Sequence, residues 1–161
     1  MLQLDVVDAQ GQRRHLAWKQ GPKLTEVTFP APAAGVACLA YSTRSVKLRL
    51  GPKLVDEYLA EIRPGSDVLA AWQRQRESGR AWTEEYAKNA KTCLRVGEAE
   101  AGWPQMAVLG HVLEIVPLQD PTRLKRGDHF EVVLQHTGQP LSDLALRLFS
   151  GDADEQIVRT D

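Results

Sequence analysis

The hydrophobic pattern changes its period twice along the chain, and this restricts the fold more than any other feature. Up to about residue 50, apolar and polar residues alternate, which is the two-residue repeat of a strand with one buried face. Leu54, Tyr58 and Ile62 then follow one another at intervals of four, as on one stripe of a helix. Alternation returns after residue 90. The pattern therefore predicts a mainly β protein with a helical insertion at about 52–90.

Short apolar runs bounded by Gly, Pro and Asp are expected to form antiparallel strands. Before the insertion these runs are 2–7, 14–19, 24–29, 36–42 and 45–50. The run 36–42 is almost continuously apolar, which is typical of a strand that is buried on both faces. Five closely spaced strands favour an immunoglobulin-like β-sandwich.

The insertion is predicted to contain helices and to end in a strand. A first helix spans 53–62 and is stopped by Pro64 and Gly65. Ser66 is expected to cap a second helix. The side chains expected to be buried in this second helix are Val68, Leu69 and Trp72. A third helix is expected from Thr83, where Thr-Glu-Glu-Tyr offers capping chemistry, and a strand from about Lys91 closes the first domain.

The rest of the chain is predicted to form a second, partial unit. Residues 98–108 are small, acidic and interrupted by proline, so we expect a linker between a domain at 1–97 and another at 109–161. Strands are expected at 112–118, 130–136, 144–149 and 156–159. An immunoglobulin-like sandwich needs about seven strands. The second unit is therefore expected to be incomplete, with exposed sheet edges.

Charge and hydropathy exclude some classes of partner. The chain has 161 residues, and its 20 basic and 21 acidic residues give a net charge of −1, which provides no strong field for nucleic acid. No run approaches the ~18 apolar residues that a membrane-spanning helix needs. The first residues lack the basic and apolar regions of a signal peptide. We expect no nucleic-acid partner and no transmembrane segment.

Histidine and cysteine are the residues that could hold a metal ion. If 112–118 and 130–136 form a hairpin around Arg123 and Leu124, His111 and His136 fall opposite each other and could bind Ni²⁺, Co²⁺ or Zn²⁺. Two ligands make a weak site, and a shift of one residue in register would separate them. His15 and His129 have no evident partner. The sequence therefore assigns no metal ligand.

Cys38 and Cys93 match no zinc or redox spacing. They are either buried free thiols or, if the protein is exported, one disulfide, and both interpretations stay open. The sequence also has no nucleophile elbow, no phosphate loop and no dinucleotide fingerprint. We therefore predict that the protein is not an enzyme, with no catalytic or cofactor-binding residue assigned.

A series of different short motifs extends over more than half of the chain. They are Tyr58-Leu59, Tyr86-Ala87-Lys88, Leu94 to Gly97, Leu113 to Leu118, Asp120-Pro121, Leu124-Lys125, Gly127-Asp128 and Gly138-Gln139-Pro140-Leu141. In this order they resemble a bacterial family of unknown function that is often labelled as the periplasmic component of a nickel or cobalt uptake system. Members of that family have an upstream signal peptide and a histidine-bearing segment. This sequence shows neither, so it is expected to be N-terminally truncated relative to the family.

The resemblance implies a periplasmic, non-enzymatic binding or accessory protein for nickel or cobalt uptake. Its expected partners are a transition-metal ion and an envelope transport protein. The alternative is a structural or protein-interaction module of the cell envelope, which would bind another protein or a second copy of itself through its sheet edges.

Overall fold

The computed structural model describes residues 2–98, 103, 108–149 and 155–161. Within them the chain forms two compact units, each built from two stretches of sequence. Unit 1 contains residues 1–44 and 87–140, and unit 2 contains residues 45–86 and 141–161. The predicted domains, 1–97 and 109–161, are contiguous in sequence and stay a prediction. Most of the predicted linker, 99–102 and 104–107, lies outside the described residues.

The described residues of unit 1 form three antiparallel sheets. Its strands are β1 (Leu2–Val7), β2 (Arg13–His15), β3 (Trp18–Gln20), β4 (Thr25–Val27), β5 (Gly35–Thr43), β8 (Asn89–Val96), β9 (Leu113–Pro117), β10 (Val132–His136) and β11 (Gln139–Pro140). The largest sheet has the strand order β2-β1-β5-β8. A second sheet consists of β3 and β4, and a third has the strand order β11-β10-β9. The strands predicted from alternation are therefore confirmed, except that 14–19 divides into two short strands at Leu16 and Ala17.

The four-stranded sheet has apolar side chains on both faces. One face presents Val7, Val36, Cys38 and Ala40, and Leu109 packs on it. The other face presents Val6 and Ala37, which pack with Leu16 and with partly buried side chains of neighbouring segments. Strand β5 lies in the middle of the sheet, and its first four residues are all buried. This confirms the strand predicted to be buried on both faces.

The β9-β10-β11 sheet is a pair of hairpins. Pro117 pairs with Val132 and Leu113 pairs with His136, so a loop with a short 3₁₀ turn joins β9 to β10. The β10–β11 connection is tight, because Thr137 and Gly138 both have positive φ (50° and 80°). Two such residues are the requirement of a type I′ turn, and a glycine meets it without steric cost.

The described residues of unit 2 form the helices α1 and α2 and four strands. Its elements are β6 (Val46–Leu50), α1 (Pro52–Ile62), α2 (Ser66–Glu77), β7 (Trp82–Tyr86), β12 (Ala145–Leu148) and β13 (Gln156–Arg159). Strand β6 pairs with β7, and β12 pairs with β13. Val55, Leu59 and Trp72 form the buried core between the helices. The ring of Trp82 meets that of Trp72 edge to face, with centroids 5.6 Å apart.

The predicted third helix from Thr83 is wrong, because this segment is strand β7. Its register places Val46 opposite Tyr86 and Leu50 opposite Trp82. Cross-strand packing of these large side chains, together with the contact of Trp82 with the helical core, outweighs the capping signal of Thr-Glu-Glu-Tyr. The closing strand expected from about Lys91 is confirmed as β8, beginning at Asn89.

Two details of the second helix also differ from the prediction. The N-cap is Gly65 rather than Ser66, and no side chain caps the helix. Of the three side chains predicted to be buried, Trp72 is buried, whereas Leu69 is 46% exposed. The helix therefore contacts the core along a narrow stripe. Neither helix among the described residues has the length and apolar character required to cross a membrane.

Candidate functional site

One face of the four-stranded sheet carries a row of four side chains across its strands, three of which are polar. Residues directly opposite one another in an antiparallel sheet project from the same face. His15 is opposite Asp5, Asp5 is opposite Ala40, and Ala40 is opposite Lys91. The row therefore crosses β2, β1, β5 and β8, and we call it the polar row. The neighbouring row consists of Arg13, Val7, Cys38 and Cys93.

Asp5 and His15 form the most chemically specific pair of the polar row. The Asp5 carboxylate is buried, whereas 63% of the His15 side chain is exposed. His15 Nδ1 lies 3.0 Å from one carboxylate oxygen, and the Gln3 amide donates to the other at 2.9 Å. A buried carboxylate thus fixes one ring nitrogen and leaves Nε2 directed away from Asp5. This is the arrangement in which a carboxylate orients a metal-binding or proton-transferring histidine.

His15 also lines a surface pocket of about 380 Å³. The other residues around it are Leu2, Gln3, Ser42, Thr43 and Arg44. The pocket therefore offers one imidazole, an amide, two hydroxyl groups and a guanidinium group. Within the described part of the chain, no group of three or more His, Cys, Asp or Glu side chains converges to hold a metal ion.

At the other end of the polar row, Glu114 of β9 is buried and fully hydrogen-bonded. Lys91 Nζ donates to Oε1 at 2.7 Å, and the backbone N–H of Leu109 donates to the same oxygen at 2.7 Å. The N–H groups of Gly110 and His111 donate to Oε2 at 2.9 and 3.2 Å. One carboxylate thus holds three consecutive backbone N–H groups and a lysine. We call this arrangement the Glu114 clasp.

The clasp changes the acid–base properties of its members. Burial by itself would raise the pKa of Glu114, but the hydrogen bonds from Lys91 and from the Leu109 backbone reverse that effect, and the pKa is lowered. Burial also lowers the pKa of His111, and the charges of Glu114, Lys91, Arg13 and Asp5 act on the same ring. His111 is therefore close to the polar row, and its neutral form is favoured.

The sequence placed His111 opposite His136, and this is wrong. Leu113 is the residue opposite His136, and the Thr137 N–H donates to the Val112 carbonyl at 2.7 Å. The hairpin register is thus shifted by two residues, because the loop between the strands is centred nearer to Lys125 than to Arg123. His136 and His129 are exposed. The metal pair suggested by sequence does not form.

Sequence reasoning missed Asp5, Lys91 and Glu114. Asp5 and His15 are ten residues apart, and only the β1–β2 register reveals that they pair. Lys91 and Glu114 are 23 residues apart and belong to different sheets. One signal was available for Glu114: it is a charged residue within the otherwise apolar run Leu113–Leu118. A charge in such a run must find partners if it is buried.

Unit 2 has a pocket of its own, of about 290 Å³. Three arginines (Arg49, Arg76 and Arg80) and the rings of Trp72 and Trp82 line it. Arg76 pairs with Asp56 at 2.9 Å, and the Trp72 indole N–H donates to the same carboxylate at 2.8 Å. The pocket is therefore positive in character but partly neutralised by Asp56.

Fold and site together define a mainly β protein whose largest sheet bears a carboxylate–histidine pair beside a surface pocket. The chain belongs to the family described as Domain of unknown function (DUF4198), which matches residues 2–161. No curated protein matches the chain, and no solved structure matches it. The expectation of a family without established function is confirmed at this level. The link to nickel or cobalt uptake and the periplasmic location stay predictions.

Proposed function

We propose that this protein is a non-enzymatic, periplasmic binding or accessory protein that handles Ni²⁺ or Co²⁺ during uptake. The observation that supports the proposal is the Asp5–His15 pair at the edge of the 380 Å³ pocket. In this proposal the metal ion is cargo. An immunoglobulin-like arrangement of the sheets belongs to the same proposal and rests on the antiparallel strands and their two-sided core.

The chemistry of His15 suits a borderline divalent ion. Imidazole nitrogen is a good ligand for Ni²⁺ and Co²⁺, and a carboxylate that is hydrogen-bonded to the second ring nitrogen fixes the orientation of the ring. Asp5 would therefore orient His15 rather than bind the ion. His111, on which the charge of Asp5 acts, is the candidate for a second imidazole.

The small number of ligands fits an accessory role better than storage. One or two imidazoles leave most coordination positions to water or to a ligand from a transport protein. Such a site binds weakly and exchanges quickly, which suits the transfer of an ion to another protein. A site with three or more protein ligands would hold the ion more tightly.

Calorimetric titration of the full chain with Ni²⁺ and Co²⁺ tests the proposal. We expect submillimolar binding that is lost in His15→Ala. Asp5→Asn should weaken binding by about 10–100-fold, because it removes the carboxylate behind the ligand. His129→Ala is the matched control, since His129 is exposed and lies outside the polar row.

Two results would contradict this function. One is the absence of binding at millimolar Ni²⁺ and Co²⁺. The other is equal loss of binding in His15→Ala and His129→Ala, which would indicate unspecific attachment to surface imidazoles. Far-ultraviolet circular dichroism of each variant distinguishes loss of a ligand from loss of the fold.

A second candidate function is protein interaction through the edge of strand β9. Among the described residues β9 pairs only with β10, so its other edge is available. Leu113 and Ile115 are each 48% exposed on this edge strand. Edge strands with exposed apolar side chains accept a further strand, and a second copy of this chain is the simplest occupant.

Sedimentation velocity over a range of protein concentrations tests the second candidate. Self-association through β9 should be abolished by Ile115→Lys, which places a charge on the edge strand. Ile157→Lys, on the exposed strand β13, is the control. A monomer at all concentrations would remove this candidate.

A further inference from the structure

Cys38 and Cys93 face each other across two paired strands. They are 55 residues apart in sequence but directly opposite in the β5–β8 register, and their Sγ atoms lie 2.6 Å apart. No disulfide bond joins them in the structure. Directly opposite residues of antiparallel strands have Cα atoms about 4.5 or 5.5 Å apart. Both values fall within the range of about 4.4–6.8 Å that a disulfide requires.

We propose that Cys38 and Cys93 are a redox-modification site that closes to an intramolecular disulfide between β5 and β8. The strand register already brings the two side chains together, so closure requires no exchange of strand partners. The inference is independent of the proposed metal function, because neither cysteine belongs to the Asp5–His15 pair.

The oxidant is a small or protein-borne disulfide, and oxidised glutathione represents the class. The Cys93 thiolate attacks one sulfur of the oxidant, forming a mixed disulfide and releasing one thiol. Cys38 then loses its proton and attacks Cys93 Sγ, which releases the second thiol. Two protein thiols are oxidised and one external disulfide is reduced to two thiols, so atoms and electrons balance.

The surroundings of the pair assign the first attack to Cys93. Cys38 is fully buried on the central strand, whereas Cys93 is partly exposed on β8, the edge strand of the sheet. The hydrogen bond with Cys38 lowers the pKa of Cys93, and the positive charge of Lys91 acts in the same direction. The same hydrogen bond and burial raise the pKa of Cys38 far above its usual range.

The residues next to Cys93 on the same strand face stabilise the strand during the reaction. Lys91 and Arg95 lie two residues before and two residues after Cys93, so all three share one face of β8. Lys91 pairs with Glu114, and Arg95 pairs with Asp120 and donates to the Thr122 hydroxyl at 2.9 Å. Ion pairs on both sides therefore fix the segment that carries the attacking thiol.

The two cysteines are better suited to forming a disulfide bond with each other than to binding a metal ion. Thiol ligands bind metal as thiolates. The environment of Cys38 strongly disfavours its thiolate, and its side chain is surrounded by Val7, Val36 and Ala40. Within the described residues no third His, Cys, Asp or Glu side chain joins the two cysteines in a metal-binding group.

Incubation of the reduced full chain with oxidised glutathione, followed by intact-mass spectrometry, tests the inference. The expected product is a monomer that has lost the mass of two hydrogen atoms and carries no glutathione. Maleimide labelling after denaturation should then find no free thiol. The midpoint of thermal unfolding should rise by roughly 10 °C relative to the reduced protein, since the bond closes a long loop.

Matched single variants test the order of attack. Cys38→Ala should accumulate one glutathione adduct on Cys93, because the second thiol is missing. Cys93→Ala should stay unmodified while folded, because Cys38 is buried. Persistent free thiols in the wild-type chain, disulfide-linked dimers, or glutathione adducts on both cysteines would overturn the inference. The wild-type mass decides the matter even if a variant fails to fold.

Discussion

Two ion pairs of this protein occupy opposite environments. In unit 1, the Lys91 and Glu114 side chains are 11% and 3% exposed, and their nitrogen and oxygen are 2.7 Å apart. In unit 2, Arg147 of β12 pairs with Glu61 of α1 at 3.1 Å, but the two side chains are 40% and 67% exposed. The geometry of the two pairs is similar. Their surroundings differ, and the surroundings decide how much each pair contributes.

The comparison teaches that the folded state requires both partners of a buried ion pair, whereas an exposed ion pair adds little to its stability. A buried charged group that loses its partner cannot form hydrogen bonds with water instead. Removing one partner of a buried pair therefore destabilises the folded protein strongly. An exposed pair competes with water at all times and is screened by salt. Unit 1 therefore depends on its buried ion pair in addition to its two-sided apolar core, whereas unit 2 depends on the packing of Val55, Leu59 and Trp72.

The largest effect is expected for Glu114→Ala. The substitution removes the carboxylate that accepts from the Lys91 ammonium group and from the N–H groups of residues 109–111. We expect a loss of about 3–5 kcal/mol in the free energy of unfolding, measured by urea denaturation. Glu57→Ala, on the exposed side of α1, is the control. An equal, small change in the free energy of unfolding of both variants would show that the fold does not require the Glu114 clasp.

The pH dependence of unit 1 is the second test. The folded pKa of Glu114 lies below its value in the unfolded chain, so its stabilising contribution is present at neutral pH and is lost as the pH falls through the acidic range. The lowered pKa of His111 acts in the same direction, because the unfolded chain takes up a proton more readily than the folded protein.

We therefore expect stability to fall from pH 7 to pH 3, first through His111 and then through Glu114. Denaturant unfolding at a series of pH values measures this decrease. His111→Ala should flatten the upper part of the curve, and Glu114→Gln the lower part. If the dependence of stability on pH is the same in both variants as in the wild type, groups other than His111 and Glu114 cause the acid sensitivity.

A smaller effect is expected at the end of α1. Arg63 caps this helix in the left-handed region, with φ 48°, and its N–H donates to the Leu59 carbonyl. Glycine adopts this backbone conformation without steric cost. A side chain in the left-handed region costs about 1–2 kcal/mol, and the greater freedom of glycine in the unfolded chain offsets about 0.4–1 kcal/mol of that. Arg63→Gly should therefore raise the free energy of unfolding by about 1 kcal/mol, measured by urea denaturation. Ile62→Gly, within the helix, should be destabilising instead.

The smallest effect is expected for Glu61→Ala in the exposed pair. We expect no change that urea denaturation can resolve, because Arg147 also pairs with Glu155 and both partners face water. Repeating the measurement at high salt should leave the result unaltered. A clear destabilisation would mean that exposure does not separate the two ion pairs in the way proposed.

The strands were predictable because alternation is a local property of the sequence. The runs at 36–42 and 156–159 became β5 and β13 within a residue or so of the predicted ends. Thr83 shows the limit of local signals, since capping chemistry there was outweighed by pairing with β6. The charge of Glu114 within an apolar run is a local signal, but no local signal identifies Lys91, in another sheet, as its partner.

The candidate site was less predictable than the fold, because it depends on register. A shift of two residues in one hairpin removed the expected His111–His136 pair. The register of another hairpin created the Asp5–His15 pair. The cysteines were recognised as a pair of interest, but only the β5–β8 register places them opposite each other.

The order of strands in the largest sheet affects how the protein is made. Strand β8 completes this sheet, yet it is translated only after the whole of residues 45–86. Until then the nascent chain presents β5 with one hydrogen-bonding edge vacant. That edge carries the apolar sequence from Val36 to Cys38, which is a hazard for aggregation on the ribosome. Slow translation of β8, or its deletion, should therefore first reduce the yield of soluble protein.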